Sequence, residues 1–201
     1  MKILLTGFGP FGAVRVNSSE QVVRRVAERA RGDDDLITAI LPVEFAGAGK
    51  RIRRLIRSHQ PDAVLCLGVA PLREQISLER VALNLDDESL ADNAGRVRNG
   101  RRIVPRGPAA YWSTLPLERI RKALEKRGIP AKYSNHAGTY ICNHVFYVAR
   151  HEAERMSSRI PCGFLHLPPL RERRKGFRRR GMALRKMVEA VECCLRVLRK
   201  A

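Results

Sequence analysis

The amino-acid sequence predicts a single α/β domain over residues 1–201, with helices on both faces of an open, mostly parallel, twisted sheet. Short apolar runs that end at glycine or proline alternate with longer segments of helical periodicity, a pattern typical of parallel strands joined by helices. The 201 residues include 44% hydrophobic residues, which is enough to form one sizeable core. No repeat or linker divides the chain.

The first half of the chain predicts three strands and two helices. Residues 2–6 predict a buried strand, and Ser18 with Gln21 stands at capping-box spacing, which predicts a helix that ends near Gly32. The elements that follow are predicted at residues 36–41 (strand), 45–59 (helix) and 63–67 (strand).

The second half is less regular. Residues 78–83 alternate like one strand that places Glu79 on an apolar face, and residues 84–115 predict irregular structure with several turns. The remaining elements are predicted at residues 116–127 (helix), 131–134 (strand), from about 142 (helix), 162–167 (strand) and 182–198 (helix).

Five cysteines without a CxxC pair predict reduced thiols and no metal site. We predict no cofactor either. No apolar run reaches the length of a membrane-spanning helix, and the first residues are too short for a signal-peptide core, so we expect a cytoplasmic protein.

The net charge of +19 leaves two interpretations open. Residues 171–180, RERRKGFRRR, carry seven basic residues and one acidic residue. A solubilising surface is one interpretation, and weak binding to RNA or another polyanion is the other. Aromatic stacking motifs of RNA-binding modules and zinc fingers are both missing from the sequence.

Residues 7–12, GFGPFG, match the GxGxxG pattern of dinucleotide-binding turns. Pro10 removes one amide from a phosphate cradle, and no acidic residue closes the second strand where a ribose contact is expected. A tight turn with apolar anchors is the preferred interpretation. In a third one, Phe8 and Phe11 wall a small substrate pocket.

Cys142 and His166 are candidates for nucleophile and base. Cys142 stands where a glycine-containing turn leads into a helix, so free amides and the helix dipole favour a thiolate and can stabilise an oxyanion. His166 lies near the carboxyl end of a strand, the end that faces the crevice of an α/β sheet. Both also fit ordinary core positions, and Glu79 needs either an arginine or a histidine as partner.

Several blocks, in the same order along nearly the whole chain, resemble the pyroglutamyl peptidase I family of cytoplasmic cysteine exopeptidases. The blocks are LLTGFGPFG at 4–12, LPVEF at 41–45, ISLERVALN at 76–84, ADNAG at 91–95, SNHAGTYICN at 134–143 and FLHLP at 164–168.

The resemblance implies a three-layer α/β/α sandwich, a homotetramer and a peptide substrate with a blocked N-terminus. It also implies a triad of Cys142, His166 and Glu79. The substrate-binding positions that it implies are Phe8, Phe11, Val69, Ser89, Leu90, Tyr140 and Ile141.

Two of those positions depart from the family pattern. Val69 stands where the family has a glutamine that contacts the lactam ring, and Ser89 stands where it has an arginine beside the nucleophile. Neither change affects the residues of the implied triad, but both concern substrate binding, so three hypotheses follow. They are a pyroglutamyl peptidase, a related hydrolase with changed amide specificity, and a non-catalytic polyanion-binding derivative.

Overall fold

The computed structural model describes residues 1–156, 159–171, 173–174, 177–178 and 181–200, with only the backbone described for 173–174 and 177–178. The helices of this part are α1 Ser18–Arg29, α2 Phe45–His59, α3 Leu117–Glu125, α4 Ile141–Glu154 and α5 Leu184–Leu198. The strands are β1 Ile3–Phe8, β2 Leu36–Leu41, β3 Ala63–Val69, β4 Ile76–Glu79, β5 Val81–Leu83, β6 Asp86–Glu88, β7 Arg98–Arg101, β8 Ala110–Trp112, β9 Ala131–Ser134, β10 Cys162–Leu167, β11 Arg173–Arg174 and β12 Phe177–Arg178.

The central sheet has the strand order β2-β1-β3-β10-β4-β9. Strands β2, β1, β3 and β10 run parallel to one another, as do β4 and β9. Only the β10–β4 pair of this sheet is antiparallel, with Phe164 opposite Glu79 and His166 opposite Ser77. The mostly parallel sheet predicted from the sequence is confirmed.

Helices cover both faces of the sheet. One apolar cluster joins α1, α3 and α5 to the first face, through residues such as Val22, Ile120 and Val191. A second cluster joins α2 and α4 to the opposite face, through residues such as Ile52 and Phe146. Each face of the sheet is therefore buried under helices, which confirms the α/β/α arrangement.

The start of α1 differs from the prediction. Asn17 is the N-cap residue, and its side chain accepts a hydrogen bond from Ser19 N. The Ser18 hydroxyl instead donates to Pro168 O at 2.8 Å, far away in the sequence. The capping-box assignment to Ser18 was wrong because a tertiary contact uses its side chain.

The predicted single strand at residues 78–83 is two strands. β4 ends at Glu79 and β5 begins at Val81, so the chain leaves the central sheet at Arg80. Residues 84–115 were expected to be irregular, but they contain β6, β7 and β8. These are short strands in two-stranded pairs, and sequence periodicity is weak over three or four residues.

The basic segment at residues 171–180 lies largely outside the described residues. Arg171 is described, and its backbone N–H donates to Met182 O at 3.1 Å. The polyanion contact expected of this segment therefore stays a prediction.

Candidate active site

His166 and Glu79 meet on neighbouring strands of the central sheet. His166 lies near the carboxyl end of β10, and its Nδ1 is 2.8 Å from Glu79 Oε1 at the end of β4. Because Phe164 and His166 point to the same face, their rings also pack together, with centroids 4.9 Å apart. The imidazole is thus held by a carboxylate on one side and an aromatic ring on another.

The charge state of this pair follows from its burial and its hydrogen bond. Burial opposes ionisation of Glu79, but the interactions with His166, the Ser134 hydroxyl and the positive charge of Arg73 together outweigh it, so the pKa of Glu79 is lowered. Burial is also the main reason that the pKa of His166 is lowered, although Glu79 partly counteracts it. A neutral imidazole that donates Nδ1–H to the carboxylate leaves Nε2 available to accept a proton.

Cys142 is the second residue of α4, and its sulfur lies against the backbone of β3. A Cβ atom at Gly68 would stand only 2.8 Å from Cys142 Sγ. Gly68 is directly beside His166 in the register of β3 and β10. The thiol and the imidazole therefore share one face, over neighbouring strands.

The Cys142 thiol is protonated at rest. Burial, and to a smaller extent the negative charge of Glu79, raise its pKa to about 12, although the positive charge of Arg73 partly opposes them. The helix N-terminus was expected to favour the thiolate, but burial has the larger effect here. A base is therefore needed to activate this sulfur.

The N-terminus of α4 carries backbone amides suited to an oxyanion. The amides of Ile141, Cys142 and Asn143 belong to the first turn, which has no intrahelical acceptor for them. The Asn143 side chain fixes this turn by bonding Leu83 N, Leu83 O and Leu85 O, all at 2.9 Å. Sequence reasoning did not identify Asn143, which follows Cys142 directly.

A small recess opens beside the Cys142 sulfur. The residues that line it are Phe8, Phe11, Asn17, Val43, Val69, Tyr140, Ile141 and Cys142. Asn17 is its one amide side chain, and the fold uses most of its capacity: Nδ2 donates one hydrogen to Gly9 O, and Oδ1 accepts from Ser19 N and Ser19 Oγ. The side chains of the recess therefore offer an apolar surface, and five of the seven predicted substrate-binding residues line it.

The other two predicted substrate-binding residues, Ser89 and Leu90, are exposed and are not part of this lining. Their loop still approaches the site, because Tyr140 Oη donates to Ala91 O at 3.0 Å. Ser89 instead bonds Glu88 through its own backbone N–H. The structure therefore brings the loop near the recess but leaves these two side chains outside it.

The glycine-rich turn after β1 does not form a phosphate cradle. The amides of Phe8, Gly9 and Phe11 donate to Ser19 Oγ, Leu41 O and Val14 O, respectively. Gly7 is required for packing, since a Cβ there would stand 2.7 Å from Ser19 O in α1. This turn positions Phe8 and Phe11 at the wall of the recess. That the recess takes a substrate stays a prediction.

Comparison with known proteins decides the family. The sequence model of pyroglutamyl peptidase matches residues 1–200. The chain belongs to the pyroglutamyl peptidase family. It is 44% identical over 172 residues to the pyrrolidone-carboxylate peptidase of Bacillus licheniformis. The matched stretch covers 85% of this chain and 80% of that protein.

Solved structures of the pyroglutamyl peptidase family have the same fold. Pyroglutamyl peptidase I of Bacillus amyloliquefaciens matches with a TM-score of 0.92 and 37% identity, over 100% of this chain and 97% of the other. A pyrrolidone carboxyl peptidase of Pyrococcus furiosus matches with a TM-score of 0.93 and 36% identity, over 100% of this chain and 99% of the other. The family resemblance inferred from the sequence blocks is confirmed, and with it membership of a family of cysteine peptidases.

Two features are absent from the described part of the chain. None of the helices described there has the length and apolar character needed to cross a membrane. Within the same residues, no cluster of three or more His, Cys, Asp or Glu side chains is arranged to hold a metal ion.

Proposed function

We propose that this protein removes an N-terminal pyroglutamyl residue from peptides, with Cys142 as nucleophile, His166 as base and Glu79 as the residue that orients the base. The observation that carries the proposal is the Glu79–His166 hydrogen bond of 2.8 Å on the face where the Cys142 sulfur borders an apolar recess. Membership of the pyroglutamyl peptidase family supports the choice of substrate.

The proposed reaction begins when His166 Nε2 takes the proton of the Cys142 thiol. The sulfur attacks the amide carbon, and the amides at the start of α4 stabilise the oxyanion. His166 then donates the proton to the leaving amine, and the C–N bond breaks to leave a thioester. Water, deprotonated by His166, hydrolyses the thioester and restores the thiol.

A fluorogenic pyroglutamyl amide tests this proposal directly. We expect release of the fluorophore by the wild type and a loss on the order of 1000-fold or more in Cys142→Ala, because no other group replaces the attacking sulfur. Cys193→Ala is the matched control, since this cysteine lies in α5 and is buried on the opposite face of the sheet. Equal activity of wild type and Cys142→Ala would remove the proposal.

Changed amide specificity is the second candidate, and Val69 is the observation that favours it. Val69 is buried at the recess and offers no hydrogen bond to a lactam ring. We expect Val69→Gln to increase kcat/KM for the pyroglutamyl amide by roughly 5- to 150-fold, which corresponds to about 1–3 kcal/mol for a recovered hydrogen bond. A panel of less polar N-acyl amides gives the complementary result: faster turnover by wild type than by Val69→Gln supports changed specificity, and slower turnover contradicts it.

We also infer a cytoplasmic homo-oligomer, a tetramer by family resemblance, with weak affinity for polyanions. Free cysteines support the location, and the net charge of +19 supports the affinity. Light scattering measures the oligomeric state. Binding to RNA that falls steeply with salt supports the polyanion contact, and the same affinity at high salt contradicts it.

A further inference from the structure

Glu79 is a buried carboxylate whose two oxygens have different surroundings. Its side chain is fully buried, and Oε1 receives the hydrogen bond from His166 Nδ1. Oε2 is buried and has no hydrogen bond among the described residues, although the Ser134 hydroxyl is near enough to help lower the pKa of Glu79. Since burying a carboxylate is costly without a compensating cation, a neutral histidine is an insufficient partner.

Arg73 supplies that cation. It lies after the carboxyl end of β3, where its backbone N–H donates to Ala70 O at 3.0 Å and forms a turn. Its Nη1 is 2.5 Å from Glu79 Oε1, and about a quarter of its side chain, 27%, remains exposed. Among the described residues, Arg73 is the only lysine or arginine within ion-pair distance of Glu79.

The guanidinium and the imidazole thus bond the same carboxylate oxygen. Arg73 approaches Oε1 from the turn after β3, and His166 approaches it from β10. A guanidinium is planar and its donors are fixed in direction, so it restrains the rotation of the carboxylate that it contacts. That restraint determines which oxygen faces His166.

We infer that Arg73 is a positioning residue of the active site, whose guanidinium holds Glu79 Oε1 in the place where it accepts the hydrogen bond of His166. This inference rests on the proposed function for its kinetic consequences. It extends that function by adding a fourth residue, which acts through Glu79.

The charge of Arg73 also acts on the other groups of the site. The titratable and charged groups that face His166 are Glu79 from β4, Arg73 from the turn after β3, and Cys142 from α4. Burial is the main cause of the lowered pKa of His166, and the charge of Arg73 adds to it. The same charge lowers the pKa of Cys142, against the larger effect of burial. Arg73 therefore favours a neutral imidazole and a more easily formed thiolate.

Replacing Arg73 by methionine and by lysine tests the inference. For Arg73→Met we expect kcat to fall by roughly 10- to 100-fold with KM changed less than about 3-fold, because positioning of the base is lost while the recess is intact. The acidic limb of kcat/KM should move to higher pH, since the pKa of His166 rises. In Arg73→Lys the acidic limb of kcat/KM should stay at its wild-type pH, because the positive charge is kept. Its kcat should lie between those of Arg73→Met and the wild type, because an ammonium lacks the planar donor geometry of a guanidinium.

A measurement without substrate separates this inference from the proposed function. Alkylation of Cys142 by iodoacetamide should be roughly 3- to 10-fold slower in Arg73→Met at a fixed pH, because the thiol pKa rises when the positive charge is removed. If the wild type hydrolyses no pyroglutamyl amide, the proposed function fails, and the alkylation rates still report on Arg73.

Arg80→Met is the matched control, because Arg80 follows Glu79 directly but its guanidinium stacks on Tyr133 at 4.3 Å. Kinetics of Arg73→Met that match those of Arg80→Met overturn the inference, and so does a higher KM at unchanged kcat. If Arg73→Met does not fold, a folded Arg73→Lys decides: a reduced kcat supports the inference, and wild-type kcat overturns it.

Discussion

Gly68 is the residue that gives the Cys142 sulfur its space. A Cβ atom at this position would stand 2.8 Å from Cys142 Sγ and 2.8 Å from Phe164 Cζ, closer than real Cβ contacts allow. Gly68 is therefore required because of close approach, and not because of its backbone conformation. Its neighbour in the sheet is His166, so the same small residue lets sulfur and imidazole occupy one face.

Gly68→Ala should displace the Cys142 sulfur or the Phe164 ring. We expect a fall in kcat on the order of 100-fold from misplacement of the sulfur. We expect a decrease of about 1–3 kcal/mol in the free energy of unfolding from overpacking. Chemical denaturation and steady-state kinetics measure both. Gly9→Ala is the control, because its Cβ would meet nothing closer than 4.0 Å. Wild-type kcat in Gly68→Ala would contradict this account.

At the scale of elements, α4 and α2 are joined by an ion-pair cluster. Glu152 of α4 accepts hydrogen bonds from Arg53 and Arg57 of α2, the closest at 2.7 Å. Burial opposes the ionisation of Glu152, but the two arginines outweigh it and its pKa is lowered. Because α4 also begins at Ile141 and carries Cys142, this cluster helps to fix the helix that positions the sulfur.

Glu152→Gln should decrease the free energy of unfolding by about 1–2 kcal/mol at neutral pH, less than for a fully buried pair because the arginines are partly exposed. Since the folded pKa is lowered, the contribution of Glu152 is complete above the unfolded pKa of about 4.3 and is lost as pH falls through the folded value. Denaturation at several pH values measures the difference. The exposed Glu118→Gln should match the wild type throughout. A deficit in Glu152→Gln that stays constant down to pH 2 would contradict the assignment.

Sequence periodicity is sufficient to predict the bounds of several strands and helices, but not of all of them. The strands at 36–41, 131–134 and 162–167 and the helix at 45–59 have the bounds that periodicity predicts. The break at Arg80 was not predictable in this way, because it depends on Ser113 N donating to Arg80 O from a distant segment. Alternation within a short strand cannot reveal such a contact.

At the scale of the whole molecule, the site combines groups that are distant in sequence. Motif blocks identified Cys142, His166 and Glu79 as candidates, and the fold brings them to one face of the sheet. The sequence predicts only that Glu79 needs an arginine or a histidine as partner, and it does not identify Arg73 as that arginine. Its contact with Glu79 depends on the turn after β3, which side-chain chemistry alone does not specify.

We expect Cys142 to carry the acyl group during turnover. Rapid acid quenching of the protein in the presence of a pyroglutamyl amide, followed by peptide mass spectrometry, tests it most directly. We predict a pyroglutamyl thioester on the peptide that contains Cys142, with the other cysteines unmodified because they are buried. Turnover with the acyl group on a different residue, or turnover by Cys142→Ala at the wild-type rate, would contradict the account.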